Sequence, residues 1–311
     1  MAKGYRKSGA GRQRIWGEWG DIMQQLAADL VCLVAPNPGP LTGPGTNTYI
    51  LGTAVLTIID PGPDDPRHLA ALLAVIGGRP VSHVLVTHAH RDHSALTPAL
   101  ATATGAPVCA FGRAGAGRST TMARLAAQGL ADDGEGLDHT HSPAIALRDG
   151  QVLDTGAGPL RILHIPGHLG DHLAFGQGDA VFVGDTVMAW SSTIVSPPDG
   201  DMGQYMASLD RLAGAGAAVL YPGHGSPVTD PAARIAALAA HRRGREAAIL
   251  TALSQGPATI AALTALVYRD THATLWPAAG RNVMAHLFDL ADRNRVRADP
   301  GTGPDAPYEL I

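Results

Sequence analysis

The chain of 311 residues has only two cysteines, Cys32 and Cys109. Two thiols cannot build a disulfide framework or a cysteine-rich zinc site, so any metal chemistry must rest on imidazole and carboxylate. Lysine is scarce as well: Lys3 and Lys7 are the only two, and every other base is arginine. Aromatic residues make up 5%, too few for an obvious stacking track along single-stranded nucleic acid. No run of about 18 apolar residues occurs, which excludes a membrane-spanning helix. The N-terminus lacks the apolar core of a signal peptide, so a cytoplasmic location is expected. General disorder is excluded because the hydrophobic fraction, 45%, is that of a globular protein.

The net charge of −4 argues against a protein-wide nucleic-acid footprint. Positive charge is nevertheless uneven. Residues 1–20 carry Lys3, Arg6, Lys7, Arg12 and Arg14 against one acid, Glu18, leaving 18 of the 23 bases and 26 of the 27 acids for the rest, a balance of −8. Residues 1–25 therefore read as a basic N-terminal extension, a tail rather than a transit peptide or nucleic-acid arm, because its glycines weaken any amphipathic helix.

What the chain does have is 14 histidines, on a pattern that alternates between strand and helix. Tyr49–Leu51 and Val55–Ile59 are short apolar runs around a Gly52-Thr53 turn. Leu69, Leu72, Leu73 and Ile76 fall at helical spacing, and Gly77-Gly78 ends that helix. Residues 81–87 read as a buried strand, and 160–165, 173–175, 180–183 and 219–221 as further strands. Hairpins with intervening helices predict two packed sheets with helices outside. After Pro231 helix formers dominate: 232–253, 259–268 and 278–293 read as helices. A strand-and-helix domain over 26–245 and a separate helical domain over 246–311 are expected.

The strand 81–87 runs into Thr87-His88-Ala89-His90-Arg91-Asp92-His93. Three histidines and an aspartate within six residues are hard to explain as packing; neutral imidazole and carboxylate suit zinc and related divalent ions. In an extended segment His88 and His90 point the same way and can share an ion, while Asp92 and His93 follow as the chain turns into a helix. His168, Asp185 and His224 each lie beside a glycine at a strand end. Together these are seven ligands, enough for two ions.

His-x-His-x-Asp-His followed by lone His, Asp and His at strand ends resembles the metallo-β-lactamase superfamily. The resemblance implies an α/β fold, a four-layered αβ/βα sandwich. It implies His88, His90 and His168 on one metal, Asp92, His93 and His224 on the other, and Asp185 bridging. Residues 36–49 and Pro166-Gly167-His168-Leu169-Gly170-Asp171-His172 resemble, more narrowly, the β-lactamase-like protein 2 group. The helical tail resembles that group's winged-helix module. The match spans about 26–300 and leaves out much of 190–203, a Ser- and Pro-rich stretch expected to shape the pocket. The group includes an endoribonuclease acting on single-stranded RNA and many bacterial hydrolases.

The expected activity is that of a dinuclear zinc-dependent hydrolase using a metal-bridging hydroxide, with Asp92 orienting it and accepting a proton. Iron or manganese could replace zinc, and an iron oxidoreductase ranks low because no flavin-binding segment is evident. Asp60 is expected to support a metal-bound histidine, and His164 to lie behind the ligands. His172 and Asn47 are expected at the substrate. His68, His83, His139, His141, His241, His272 and His286 read as surface or packing residues, Cys109 as a buried structural thiol, and Gly112–Arg118 as a flexible loop rather than a phosphate loop. Arg242, Arg243 and Arg245 read as a solvated helix face, with RNA contact, to which Arg234 would add, the alternative. Candidate substrates are single-stranded RNA or a small lactone, thioester, ester or β-lactam. A catalytically silent binding module is the competing class, and homodimerisation is left open.

Overall fold

Adjacent residues of the central strands face different cores, which is why these strands are apolar at almost every position. In the computed structural model, which describes residues 22–131, 136–298 and 306–311, Ile50, Ile58 and Val84 join one buried cluster, whereas Tyr49, Leu51, Ile59 and Leu85 join another. The basic residues Lys3 to Arg14 of the expected extension lie outside the described residues.

The first sheet runs, in neighbour order, β1 (Met23–Ala27), β2 (Leu30–Val34), β3 (Asn47–Leu51), β4 (Leu56–Ile59), β5 (Val81–Leu85), β6 (Val108–Ala110) and β7 (Ile145–Ala146). The second contains β8 (Val152–Thr155), β9 (Gly158–His164), β10 (Leu173–Gln177), β11 (Ala180–Gly184) and β12 (Val219–Pro222), ordered β12-β11-β10-β9-β8. Pairing is antiparallel through β1–β4 and parallel from β4 to β7; β11 and β12 are also parallel. The β3–β4 turn needs Gly52, whose φ is 96° and whose Cβ would lie 2.4 Å from the Val55 carbonyl oxygen.

The helices are α1 (Pro66–Ile76), α2 (Arg91–Ser94), α3 (Thr97–Thr104), α4 (Thr120–Ala127), α5 (Met202–Ala213), α6 (Pro231–Leu253), α7 (Ile260–Val267) and α8 (Trp276–Asp292). Asp65-Pro66 and Asp230-Pro231 start α1 and α6 alike: the Asp carboxylate accepts a backbone N–H of the first turn, and proline occupies a position that needs no donor. Leu72 of α1 and Leu100 of α3 cover the outer face of the first sheet. Tyr205 and Leu209 of α5, with Ile235 and Leu238 of α6, cover the outer face of the second. The inter-sheet core holds Leu160, Phe175 and Phe182 against Tyr49 and Leu85, and buries both free cysteines, Cys32 and Cys109. Burial pushes the thiol of Cys32 up to about 12 and that of Cys109 to about 11, so neither is a nucleophile at neutral pH. The result is the four-layered αβ/βα sandwich. No helix among the described residues is long and apolar enough to cross a membrane.

The C-terminal module has its own core, made by Leu263, Val267, Val283, Leu287 and Leu290 with Ile249 and Leu253 of α6. It also has a hairpin that periodicity did not reveal, β13 (Val296–Ala298) and β14 (Tyr308–Leu310). Helix α6 is continuous across the 245/246 division: Ile235 and Leu238 belong to the sandwich, Ile249 and Leu253 to the module. The reading of its arginines as a solvated face is corrected by Arg242, which is 1% exposed. It donates to Asn282 Oδ1 and the Thr193 carbonyl, and lies 5.3 Å from the Tyr205 ring centroid. Arg234 donates to the carbonyls of Met188 and Ser191. A guanidinium can enter this seam because carbonyls and a ring face take its donors and charge. The Gly112–Arg118 segment is likewise tied down: Arg118 donates twice to Asp199 Oδ1, and Gly117 is so close to Gly170 that a Cβ would meet its carbonyl at 2.1 Å.

His286 of α8 is 1% exposed, and burial, followed by nearby Arg242, holds its ring down to about 3. The fold favours the neutral ring, so below pH about 6.5 the unfolded chain binds the extra proton. This contribution is complete above pH 6.5 and is lost as pH falls toward 3. Urea titrations between pH 7 and 4 should show His286→Leu losing less stability than the parent, by up to about 1.4 kcal/mol per pH unit. Parallel pH profiles for the two proteins would refute the assignment.

Candidate metal centre

The strand ends of both sheets meet at one point, and each delivers candidate ligands. His88 and His90 follow β5, and the chain turns into α2 with Asp92 and His93 on it. His168 follows β9 after Pro166-Gly167, Asp185 follows β11, and His224 follows β12. Gly167, with φ at 140°, lets the backbone of Tyr205 approach so closely that a Cβ would lie 2.3 Å from its Cα. All seven expected ligands converge. His88, His90, His168 and Asp185 form one group of donor atoms, and Asp92, His93 and His224 a second, each within 4.8 Å. Asp185 lies between them: Oδ2 is 3.8 Å from His168 Nε2 and 3.2 Å from His224 Nε2, and Oδ1 is 3.5 Å from His93 Nε2.

Four of the five imidazoles are aimed by their other nitrogen. His168 Nδ1 donates to the Ile194 carbonyl at 2.7 Å, and His224 Nδ1 to that of Gly45 at 3.2 Å. His93 Nδ1 donates to Asp60 Oδ2 at 2.9 Å. The Thr87 hydroxyl donates to Asp60 and so accepts from His88 Nδ1. Nε2 of His88, His168, His93 and His224 is thereby left facing inward, the arrangement of metal-bound histidines. These donors fit divalent ions: His93 Nε2 and Asp185 Oδ1 are buried without a hydrogen-bond partner, and His90 Nδ1 sits 3.0 Å from His88 Nε2 and 3.1 Å from His168 Nε2. Burial, then neighbouring His168, keeps the His90 ring down to about 3, and burial likewise holds His88 well below its ordinary value, so both offer lone pairs. Burial opposes the charge on His224, but Asp185 and Asp92 outweigh it and raise the ring to about 10. A divalent ion would replace that proton.

Asp60 occupies the supporting position expected of it, 2% exposed, with both carboxylate oxygens accepting from Thr87 and one from His93. Two expected substrate contacts point elsewhere. Asn47 is 2% exposed, and its Nδ2 donates to the carbonyls of Pro222 and Gly225, holding the loop that carries His224. His172 is fully buried; it stacks on His88 at 4.6 Å and accepts the Asp185 backbone N–H at 3.2 Å. Neither lines the cavity over the ligands; Asn47 Nδ2 and His172 Nε2 instead engage the backbone of the segments that carry His224 and Asp185. His164 stacks on Phe111 at 4.2 Å and donates to the Gly170 carbonyl, so it braces the His168 loop rather than a ligand.

Sequence reasoning also missed contacts made over long separations. Thr46 Oγ1 donates to Asp92 Oδ2 at 2.9 Å, and Thr193 Oγ1 lies 3.2 Å from His168 Nδ1. Asp171 accepts the Ala89 N–H at 3.1 Å, and burial raises its carboxyl to about 8. The adjacent Thr87 and Asp171 could have been found by position beside the ligand motifs; Thr46 and Thr193 carry no local signal.

Above the ligands lies a cavity of about 340 Å³. His90, Asp92, His168, Asp185 and His224 form its floor. Leu41, Met188, Trp190 and Ile194 line its sides, and Arg245 of α6 with Tyr268, Ala278 and Asn282 of the C-terminal module its far wall. Asp92 is the open member of the floor, its side chain 27% exposed.

A methyl group on Gly223 would lie 2.2 Å from Asp185 Oδ1 and 2.6 Å from His93 Cε1. Gly223→Ala should therefore displace Asp185 and lower bound divalent metal by at least half, measured by mass spectrometry after dialysis. A metal content equal to the parent's would contradict this geometry.

The model of the metallo-β-lactamase superfamily matches residues 41–224, and that of the beta-lactamase associated winged helix domain matches 259–303. A beta-lactamase-like protein 2 homolog from Drosophila melanogaster is 28% identical over 281 residues, covering 88% of this chain and 91% of that protein. An atrochrysone carboxyl ACP thioesterase from Paecilomyces divaricatus is 30% identical over 238 residues, covering 75% of this chain and 67% of that protein. A metallo-beta-lactamase family protein from Thermus thermophilus superimposes with a TM-score of 0.74 at 26% identity, over 92% of this chain and all of that one (100%). The hydrolytic fold, the paired groups of ligand atoms and the C-terminal module thus occur together, and the chain belongs to the metallo-β-lactamase superfamily of metal-dependent hydrolases, with an associated winged-helix domain.

Proposed function

We propose that this protein is a dinuclear zinc hydrolase of small acyl esters or thioesters. The observation that carries this reading is the convergence of two groups of ligand atoms on the floor of a single, largely apolar cavity. His88, His90 and His168 would hold one ion, Asp92, His93 and His224 the other, and Asp185 would contact both. Bound there, the ions supply a Lewis acid for the acyl carbonyl and water of lowered pKa. The chain's own residues do the rest. His168 is aligned by Ile194, His93 by Asp60, and His88 by Thr87. Asp92 is fixed by Thr46 but stays open to the cavity, where its carboxylate can take a proton from the attacking water and return it to the leaving group. Burial alone would raise the Asp92 carboxyl, yet His93 and His224 hold it below the usual carboxylate range, so it is ionised at neutral pH.

Cavity shape supports an acyl substrate over RNA. Leu41, Met188, Trp190, Ile194 and Leu275 line it, and Arg245 is the only Lys or Arg among the lining residues. A strand of RNA calls instead for a groove with a series of phosphate contacts. The thioesterase named among the relatives agrees with this choice.

Zinc-loaded protein is expected to hydrolyse acyl thioesters or lactones and to leave single-stranded RNA intact. His88→Ala and Asp185→Asn should each lower kcat/KM by about 10²-fold or more, in line with the loss of a charge-stabilising group. Protein that retains no divalent metal, or activity indifferent to both substitutions, would sink the proposal.

A further inference from the structure

The far wall of the cavity carries positive charge that the hydrolase reading leaves unused. His241 and Arg245, four residues apart on α6, share a face that borders the cavity. The Arg245 guanidinium lies 4.2 Å over the Tyr268 ring and donates Nη1 to the Val267 carbonyl, which occupies one of its five donors. Arg242, one position behind His241, is buried and bonded only to neutral groups, Asn282 Oδ1 and the Thr193 carbonyl; its Nε has no partner. Among the described residues neither arginine forms an ion pair with a carboxylate. Tyr268 is 6% exposed, and its hydroxyl also lacks a hydrogen-bond partner. Arg242 does not line the cavity; Arg245 does and is half-buried, and charged groups partly withdrawn from water are normally paired. The acids that line this cavity, Asp92 and Asp185, both lie on its floor among the metal ligands.

The remaining lining mixes the apolar Leu41, Met188, Ile194, Leu275 and Ala278 with uncharged polar residues such as Thr193 and Thr271. A ligand that satisfies both ends needs an oxyanion at one end, a hydrocarbon body, and an acyl carbonyl at the other. A guanidinium presents paired N–H donors that match a carboxylate or phosphate. The volume of about 340 Å³ suits a small molecule.

We propose that Arg245, on the wall that α6 forms with the C-terminal module, is an anion-recognition residue, and that the natural substrate is an apolar acyl ester or thioester carrying a carboxylate or phosphate distant from the bond that is cut. This rests on the hydrolase reading above and adds the chemistry of the far end of the substrate.

The test pairs two esters of equal length, p-nitrophenyl octanoate and mono-p-nitrophenyl octanedioate, on the zinc-loaded full chain. The parent should prefer the anionic ester. Arg245→Gln should lower the ratio of kcat/KM for the anionic over the neutral ester by tenfold or more, chiefly through KM. Arg245→Lys, which keeps the charge without the fork, should fall between them. Thermal melts confirm that the variants fold. Calorimetry with 8-oxononanoate, which carries a methyl ketone where the substrate has its ester, and with octyl phosphate supplies a readout that does not rest on ester cleavage: the better-matched anion should bind at least tenfold more weakly to Arg245→Gln. If no form cleaves either ester, the hydrolase reading falls, while the calorimetric arm still decides the anion site. An unchanged kcat/KM ratio, or anion binding equal in parent and Arg245→Gln, overturns the proposal.

Discussion

The carboxylate of Asp60 is the constraint around which the centre is built. It sits at the end of β4 with φ at 52°, in the left-handed region that few non-glycine residues occupy. From there it accepts the Thr87 backbone N–H and hydroxyl and the His93 ring N–H. One anion therefore fixes the end of the neighbouring strand, the tautomer of His93 and, through the Thr87 hydroxyl, that of His88. A histidine free to present either nitrogen would be a poor ligand; here the inward one is decided before any ion arrives. The local backbone strain is of the kind that persists where surrounding bonds over-determine it.

A second set of restraints reaches the same place from the opposite side. The 188–196 segment has little regular structure, yet Ile194 and Thr193 must meet His168. Arg234 and Arg242 of α6 grip the carbonyls of Met188, Ser191 and Thr193, and Asn282 of α8 accepts the Val195 N–H. The module thus helps to aim a ligand that it does not itself contribute.

These two sets of restraints explain what could be read from the sequence. His88, His90, Asp92 and His93 are close in the chain, so local spacing exposed them. His168, Asp185 and His224 carry the weaker mark of an adjacent glycine, and needed a family resemblance to be joined to the rest. The layers followed from apolar runs and helical spacing, because both faces of each central strand are buried. Asn47 and His172 were placed on the wrong side of the ligands, since their partners lie 175 and 13 residues away and nothing local tells which way the side chain turns. Arg242 was misread for the same reason: a polar residue on a helix looks solvated until a distant loop supplies its acceptors. The β13–β14 hairpin was missed because three-residue strands leave too short a pattern.

Helix α6 belongs to both cores, with Ile235 and Leu238 in one and Ile249 and Leu253 in the other. No flexible linker separates the unit that holds the metal ligands from the unit that closes the cavity, so the two cannot drift apart as independently hinged bodies. They can still diverge in sequence at different speeds. Exchanges at wall positions such as Arg245 or Ala278 alter what fits, while the floor stays under the strict geometry of the converging histidines and aspartates. A scaffold divided this way can acquire new clients without relearning its chemistry.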